Sequence, residues 1–443
     1  MNLIQKIAVF YLVALGFMAW GIAIGKYEVF PFLILKEFQD FVEGDPLGRD
    51  TSVADKMLND LGLEPRRHLR EYPANAAAGT RAIEVPGLKD RREIPLVFVS
   101  PDHQEGYRAI FGAFDFENSF WGGILLGPAG ELLQTWDLST DHLPMSKGND
   151  ELRNLYGVHI SSDGSVIFTQ QEDGGGIVKV DGCGKILWSL EGYYHHAISP
   201  TEDGNFWTFV GKEKDLDHKL AKISMETGEI ETVIDMREVR KRNPFVHIFN
   251  LQIPSLQGYL ENADVSHGND IAPLFSDRSA QFKGFEPGDL LISYRTQNLV
   301  FVLDPDTLKI KWWRIGPWDR QHDPDWEADG TITVFSNNQV TDRPVSDIVS
   351  IDPDSFESRV IVDGENYNFY SAINGSHQST EFGTILVSST TQGWAFEVDR
   401  DNQVVFSFVN NYDSKNNKSL NVSAAYRLPE RYFDEKFWEK CAK

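Results

Sequence analysis

The stretch His322-Asp-Pro-Asp-Trp-Glu-Ala-Asp-Gly-Thr-Ile-Thr-Val-Phe-Ser-Asn337 runs from a histidine through a charged segment and a turn glycine into an apolar strand. On its own it reads as a β-hairpin. The pattern recurs, however. "HISSDGSVIFTQ" starts at His159, "HAISPTEDGNFWTFV" at His196, "HGNDIAPLFSDRSAQFKGFEPGDLLISYR" at His267 and "HQSTEFGTILVSST" at His377. His159 and His196 are 37 residues apart, while His267, His322 and His377 follow at intervals of 55. Several copies continue into an apolar strand, an acidic turn and an aromatic strand, as in "NLVFVLDPDTLKIKWW" and "GWAFEVDRDNQVVFSFV". One four-stranded unit per repeat is the texture of a β-propeller. The expected fold is therefore all-β, a six-bladed propeller with seven blades as the alternative count.

Two segments outside the five repeats fit the same plan. "FWGGILLGPAGELLQTWDL" from Phe120 supplies outer strands of a first blade, and "SLNVSAAYRLPERYF" near the C-terminus supplies the strand that closes the ring. Closure removes exposed sheet edges. Upstream the texture changes. Residues 7–25, "IAVFYLVALGFMAWGIAIG", are 19 residues without a charge, long enough to cross a bilayer as a helix. Lys26, Tyr27 and Glu28 follow where small cleavage-site residues would stand, so the segment reads as an uncleaved signal anchor. The expected division is a cytoplasmic tip and anchor over 1–25, a neck with short helices such as "TSVADKMLNDLGL" over 26–104, and a propeller over 105–443 on the non-cytoplasmic side.

Composition removes several functions. With 42 Lys and Arg against 66 Asp and Glu, the net charge of −24 offers no basic face for nucleic acid. Cys183 and Cys441 are too few for a zinc cluster or a disulfide framework, and whether they bond to each other is open. The EF-hand-like "DWEADGTITVFS" carries Ser336 where the closing glutamate belongs, so calcium is discounted there and no metal or cofactor is expected.

In a propeller, residues that open successive innermost strands converge on one axis. His196 and His322 each lie eight residues before a turn glycine, Gly204 and Gly330, so His196 rather than His195 is read as the counterpart of His322. His267 shares their polar context, whereas His159 and His377 read as structural. Arg295, after the strand "DLLISY", adds a cationic fork suited to a tetrahedral oxyanion. Imidazoles and a guanidinium gathered in an acidic protein point to an anionic ligand. Trp313, Trp318 and Trp326 are candidates to flank an aromatic ring, against a core role.

The "HH" of His195 and His196, "DVSHGNDI" with His267 and Asn269, "SYRTQNLVFVLD" with Arg295 and "QHDPDW" with His322 resemble the arylsulfotransferase family, over roughly residues 105–430. The resemblance implies transfer of a sulfuryl group from an aryl sulfate donor to a phenolic or other hydroxyl acceptor through a sulfohistidine, without the nucleotide donor PAPS. It implies His322 as nucleophile, His267 and Arg295 holding sulfuryl oxygens, and His196 moving a proton. Asn269, His195, Gln378 and Trp318 are the expected substrate-binding residues. The sequence departs from the family pattern at Ala197, where an acidic residue often follows the histidine pair, and lacks a close cysteine pair. Two other readings are weighed: a noncatalytic propeller binding an anion or glycan, and a metal-dependent six-bladed hydrolase. The latter needs Glu, Asn and Asp where this chain repeats His and Arg.

Overall fold

The computed structural model describes Leu15, Trp20 and residues 69–85, 94–103, 105–114, 121–138, 154–171, 175–211, 219–249, 266–339, 341, 343 and 345–441. The chain divides into two units, Met1–Arg66 and Arg67–Lys443. In the first, Leu15 and Trp20 are helical and exposed. Among the described residues no helix is long and apolar enough to cross a membrane; the rest of the apolar stretch 7–25 and the helix expected at 51–63 lie outside them.

The second unit is mostly antiparallel β. Six sheets are built on one meander. Their first strands are Val422–Leu428, Asn154–Ile160, Tyr194–Pro200, Gly268–Pro273, His322–Trp326 and Ser376–Ser379, each followed outward by three more and the last by a further two. These first strands touch in a closed cycle, each meeting the next in the order given and Ser376–Ser379 returning to Val422–Leu428. That is a propeller-like arrangement with the first strands around the axis.

The local sequence explains the meander. Gly204 and Gly330 sit between first and second strands at φ +81° and +84°, a left-handed conformation that costs glycine little. Runs such as Leu299–Asp304 and Ile332–Ser336 are buried nearly throughout because both faces pack against neighbouring sheets. The fourth strand Ile186–Glu191 alternates instead, because one face meets water.

Closure is by the C-terminal strand, as the sequence suggests: Val422–Leu428 pairs with Tyr107–Ala113. Nearby, the buried Arg108 and Arg427 both reach Glu397, at 3.2 and 3.5 Å. The terminal helix Glu435–Lys440 lays Phe437 on Trp136, ring centroids 6.1 Å apart, and a disulfide joins Cys183 to Cys441.

The upstream segment differs from the neck expected over 26–104. Leu96–Val99 pairs with Val404–Val409, Arg81–Ala82 adds to its edge, and Leu69–Glu71 pairs with Lys418–Leu420. These short strands cover sheet edges, so the described part of that segment belongs to the β body and the boundary at 104 falls inside the compact unit.

Candidate active site

Five of the six first strands slip in register, and three of these also carry a left-handed residue in or beside them. His196, His267 and Asp323 have φ of +58°, +48° and +53°, and the strand register slips between His195 and Ser199, Gly268 and Asp270, and His322 and Asp325. A bulge re-aims side chains that a regular strand would turn into the sheet. Left-handed backbone at non-glycine residues costs about 1–3 kcal/mol each and persists where the surroundings enforce it, most often at functional sites.

The distortions gather the histidines. The His196 ring lies 5.0 Å from both His195 and His267, centroid to centroid, and all four of His195, His196, His267 and His322 are buried. Burial, reinforced by His267, His195, His322 and Arg295, holds His196 well below the usual histidine range. Burial and the Arg295 guanidinium push His322 down to about 3. Both rings are therefore neutral at pH 7.

Asn337 fixes the tautomer of His322. Its amide nitrogen donates to the carbonyls of Ser371 and Asn374, at 2.7 and 2.6 Å, so its Oδ1 is the atom that faces His322 Nδ1 at 2.7 Å. Nδ1 must then carry the proton, which leaves the lone pair on Nε2. Nε2 is buried with no hydrogen-bond partner among the described residues, and His322 lines a cavity of about 440 Å³ to which all six first strands contribute. A neutral imidazole with a bare nitrogen beside a cationic group is a nucleophile placed to attack a centre whose oxygens carry negative charge.

A family model described as arylsulfotransferase (ASST) matches residues 157–411, more than half of the chain. The chain belongs to the arylsulfotransferase family. It is an arylsulfotransferase-like enzyme, and membership implies an aryl sulfate donor and a phenolic acceptor. No curated protein matches it. Solved structures similar to it include a protein of unknown function from Bacteroides caccae, at 12% identity and TM-score 0.48, covering 73% of this chain and 99% of that one. Virginiamycin B lyase from Staphylococcus aureus matches at 14% identity and TM-score 0.34 over 57% and 69%. A streptogramin B lyase matches at 10% and 0.40 over 70% and 90%.

Of the residues expected at this arylsulfotransferase site, His196, His322, Asn269 and Gln378 line the cavity, whereas His195, His267 and Arg295 are not among its lining residues. Asn269 donates to the Gln321 carbonyl at 2.8 Å. His195 shares a 2.8 Å Nδ1–Nδ1 contact with His196 and stacks on Phe209, so it orients His196 rather than meeting a ligand.

Three expectations need correction. The eight-residue spacing pairs His196 with His322, but strand partners pair His195: it faces Phe209 as His322 faces Phe335, and each phenylalanine lies five residues after its turn glycine. The bulge after His195 holds one residue more than that after His322, which shifts the count. Gln378 spends its amide on both backbone groups of Arg427, at 2.8 and 3.1 Å, and so joins two first strands. Trp318 is 2% exposed, packs in a core with Trp312 and Trp326 and donates to the Asn298 carbonyl; it does not flank a ligand.

The sequence reading missed an acidic side of the cavity, formed by Asp270, Asp323 and Asp325. His377, read as structural, joins it. Its Nδ1 lies 2.9 Å from Asp323 Oδ2, its backbone N–H donates to the same oxygen at 2.5 Å, and its Nε2 lies 2.8 Å from Thr333 Oγ1. Burial opposes the charged ring, but Asp323, Asp325 and Glu327 raise it to about 9. Alternation along "HDPDW", with Asp323 and Asp325 two apart, was the available signal. Asp323, Asp325 and His377 present ligand atoms within 4.8 Å of one another, the spacing of a metal site. The Thr333 hydroxyl donates to Glu327 at 2.7 Å, so Thr333 accepts from His377 Nε2, and Nδ1, 2.9 Å from Asp323, would have to give up its proton to ligate an ion.

Proposed function

We propose that this chain is a six-bladed propeller sulfotransferase, anchored by residues 7–25 with its body on the non-cytoplasmic side, that transfers a sulfuryl group through a sulfohistidine at His322. The partnerless Nε2 of neutral His322, a residue that lines the cavity and has its other nitrogen held by Asn337, carries this reading. The six meanders and their closed cycle of first strands support the blade count. The Cys183–Cys441 bond supports an oxidising compartment, as does the charge-free stretch before the body.

In the first half-reaction Nε2 attacks sulfur in line, the N–S bond forms, and the aryl O–S bond breaks with its electron pair leaving on the phenolate. Arg295, whose charge is felt at His322, and His267, beside His196, lie outside the cavity lining and would offset charge gathering on the sulfuryl oxygens through space. In the second half-reaction the acceptor hydroxyl attacks sulfur, the N–S bond breaks, and the hydroxyl proton passes to His196. The contact of His196 with His195 gives that proton a second imidazole to share it. PAPS has no part in either step.

Incubating the full chain with an aryl sulfate and a phenol, without PAPS, tests the reading. Free donor phenol and sulfated acceptor should appear together. Saturable binding of the aryl sulfate with no product would leave a binding propeller instead.

A further inference from the structure

Besides its histidines, the cavity carries carboxylates that its own cations do not balance. Asp323 is matched by His377. Asp270 and Asp325 have no ion pair with any side chain among the described residues, and the nearby Arg278 gives a hydrogen bond to the Trp326 carbonyl instead. Beside them Asn269, 5% exposed, spends its amide nitrogen on Gln321, and its Oδ1 has no partner among the described residues. Two buried acidic groups and a partnerless carbonyl oxygen on residues that line one cavity would be satisfied together by a cationic donor. The walls between are apolar, with Ala197, Ile198, Ile271 and Trp326.

We propose that Asp270, Asp325 and Asn269 Oδ1 receive the ammonium group of an aminated phenol, making cationic hydroxyaryl compounds the preferred acceptors. The proposal rests on sulfuryl transfer at His322. An organic cation suits the cavity because its walls are largely apolar and about 440 Å³ accommodates a small aromatic ligand. Burial and the neighbouring Asp323 push Asp325 up to about 8 and Asp270 well above its ordinary value, so both are protonated at pH 7, and a bound ammonium would displace their protons and hold them ionised.

Calorimetry on the full chain without donor, using 4-(2-aminoethyl)phenol, 4-ethylphenol and 3-(4-hydroxyphenyl)propanoate, tests this. The amine should bind at least about tenfold more tightly than the neutral phenol, with the carboxylate weakest. Asp325→Asn should collapse that ratio toward one. Equal affinities, or tighter binding of the carboxylate, would overturn the proposal. So would binding of Mn²⁺ or Zn²⁺ alone that Asp325→Asn abolishes. Transfer to all three phenols without charge preference would end this proposal and leave the transferase standing; amine-selective binding without transfer would leave the cation site but remove the transferase and, with it, the acceptor role.

Discussion

Asn337 Oδ1 accepts a hydrogen bond from His322 Nδ1 at 2.7 Å, and thereby decides which imidazole nitrogen carries the lone pair. The asparagine is fully buried and anchored by two carbonyls, so the ring has little freedom to turn. Orientation of a reacting histidine by such a partner commonly contributes 10- to 100-fold.

Asn337→Ser should therefore lower kcat by about 10- to 100-fold while changing the KM for donor little. Steady-state kinetics with an aryl sulfate measure this, and circular dichroism checks the fold. An unchanged kcat would mean that the tautomer is set elsewhere.

Stability should fall on both sides of neutrality, for opposite reasons. His322 is held at about 3 against an ordinary 6.5, so the unfolded chain binds its proton more tightly. That contribution is complete above pH 6.5 and is lost as pH falls toward 3. His377, raised to about 9, contributes below pH 6.5, by roughly 3 kcal/mol, and the contribution is lost as pH rises through 9. Melting temperature against pH should show both arms, and His377→Gln should flatten the alkaline one.

Gln378→Leu should cost about 1–3 kcal/mol of stability, because it orphans two backbone groups of Arg427 at the seam of the ring. Thermal melting measures that loss. Its turnover at a temperature where it remains folded should match that of the unaltered chain.

Cys441→Ser should lower stability by about 2–5 kcal/mol, since the bond closes a separation of 258 residues. The reduced unaltered chain should match the variant. Denaturant melts with and without reductant make the comparison.

The β body was legible because its signals are local. Strands such as "NLVFVLD" are apolar on both faces, and turn glycines punctuate them at regular intervals. The histidines were legible because they repeat at one position. The role of His195 was hidden by a bulge one residue wider than that after His322, which no spacing rule anticipates. Asn337 lies 15 residues from His322 at the far end of the next strand, so only the pairing brings it back. Leu69–Glu71 and Arg81–Ala82 are short, and become strands because the distant Lys418–Leu420 and the nearer Leu96–Val99 offer them open edges. The acidic side of the cavity looked like ordinary surface charge in a chain of net charge −24.

The most direct test is the mass of the chain after exposure to an aryl sulfate with no acceptor present. The account predicts an added mass of about 80 Da, that of SO₃, on a peptide containing His322, discharged by a phenol and absent in His322→Ala. An adduct on another residue, or full transfer activity in His322→Ala, would contradict it.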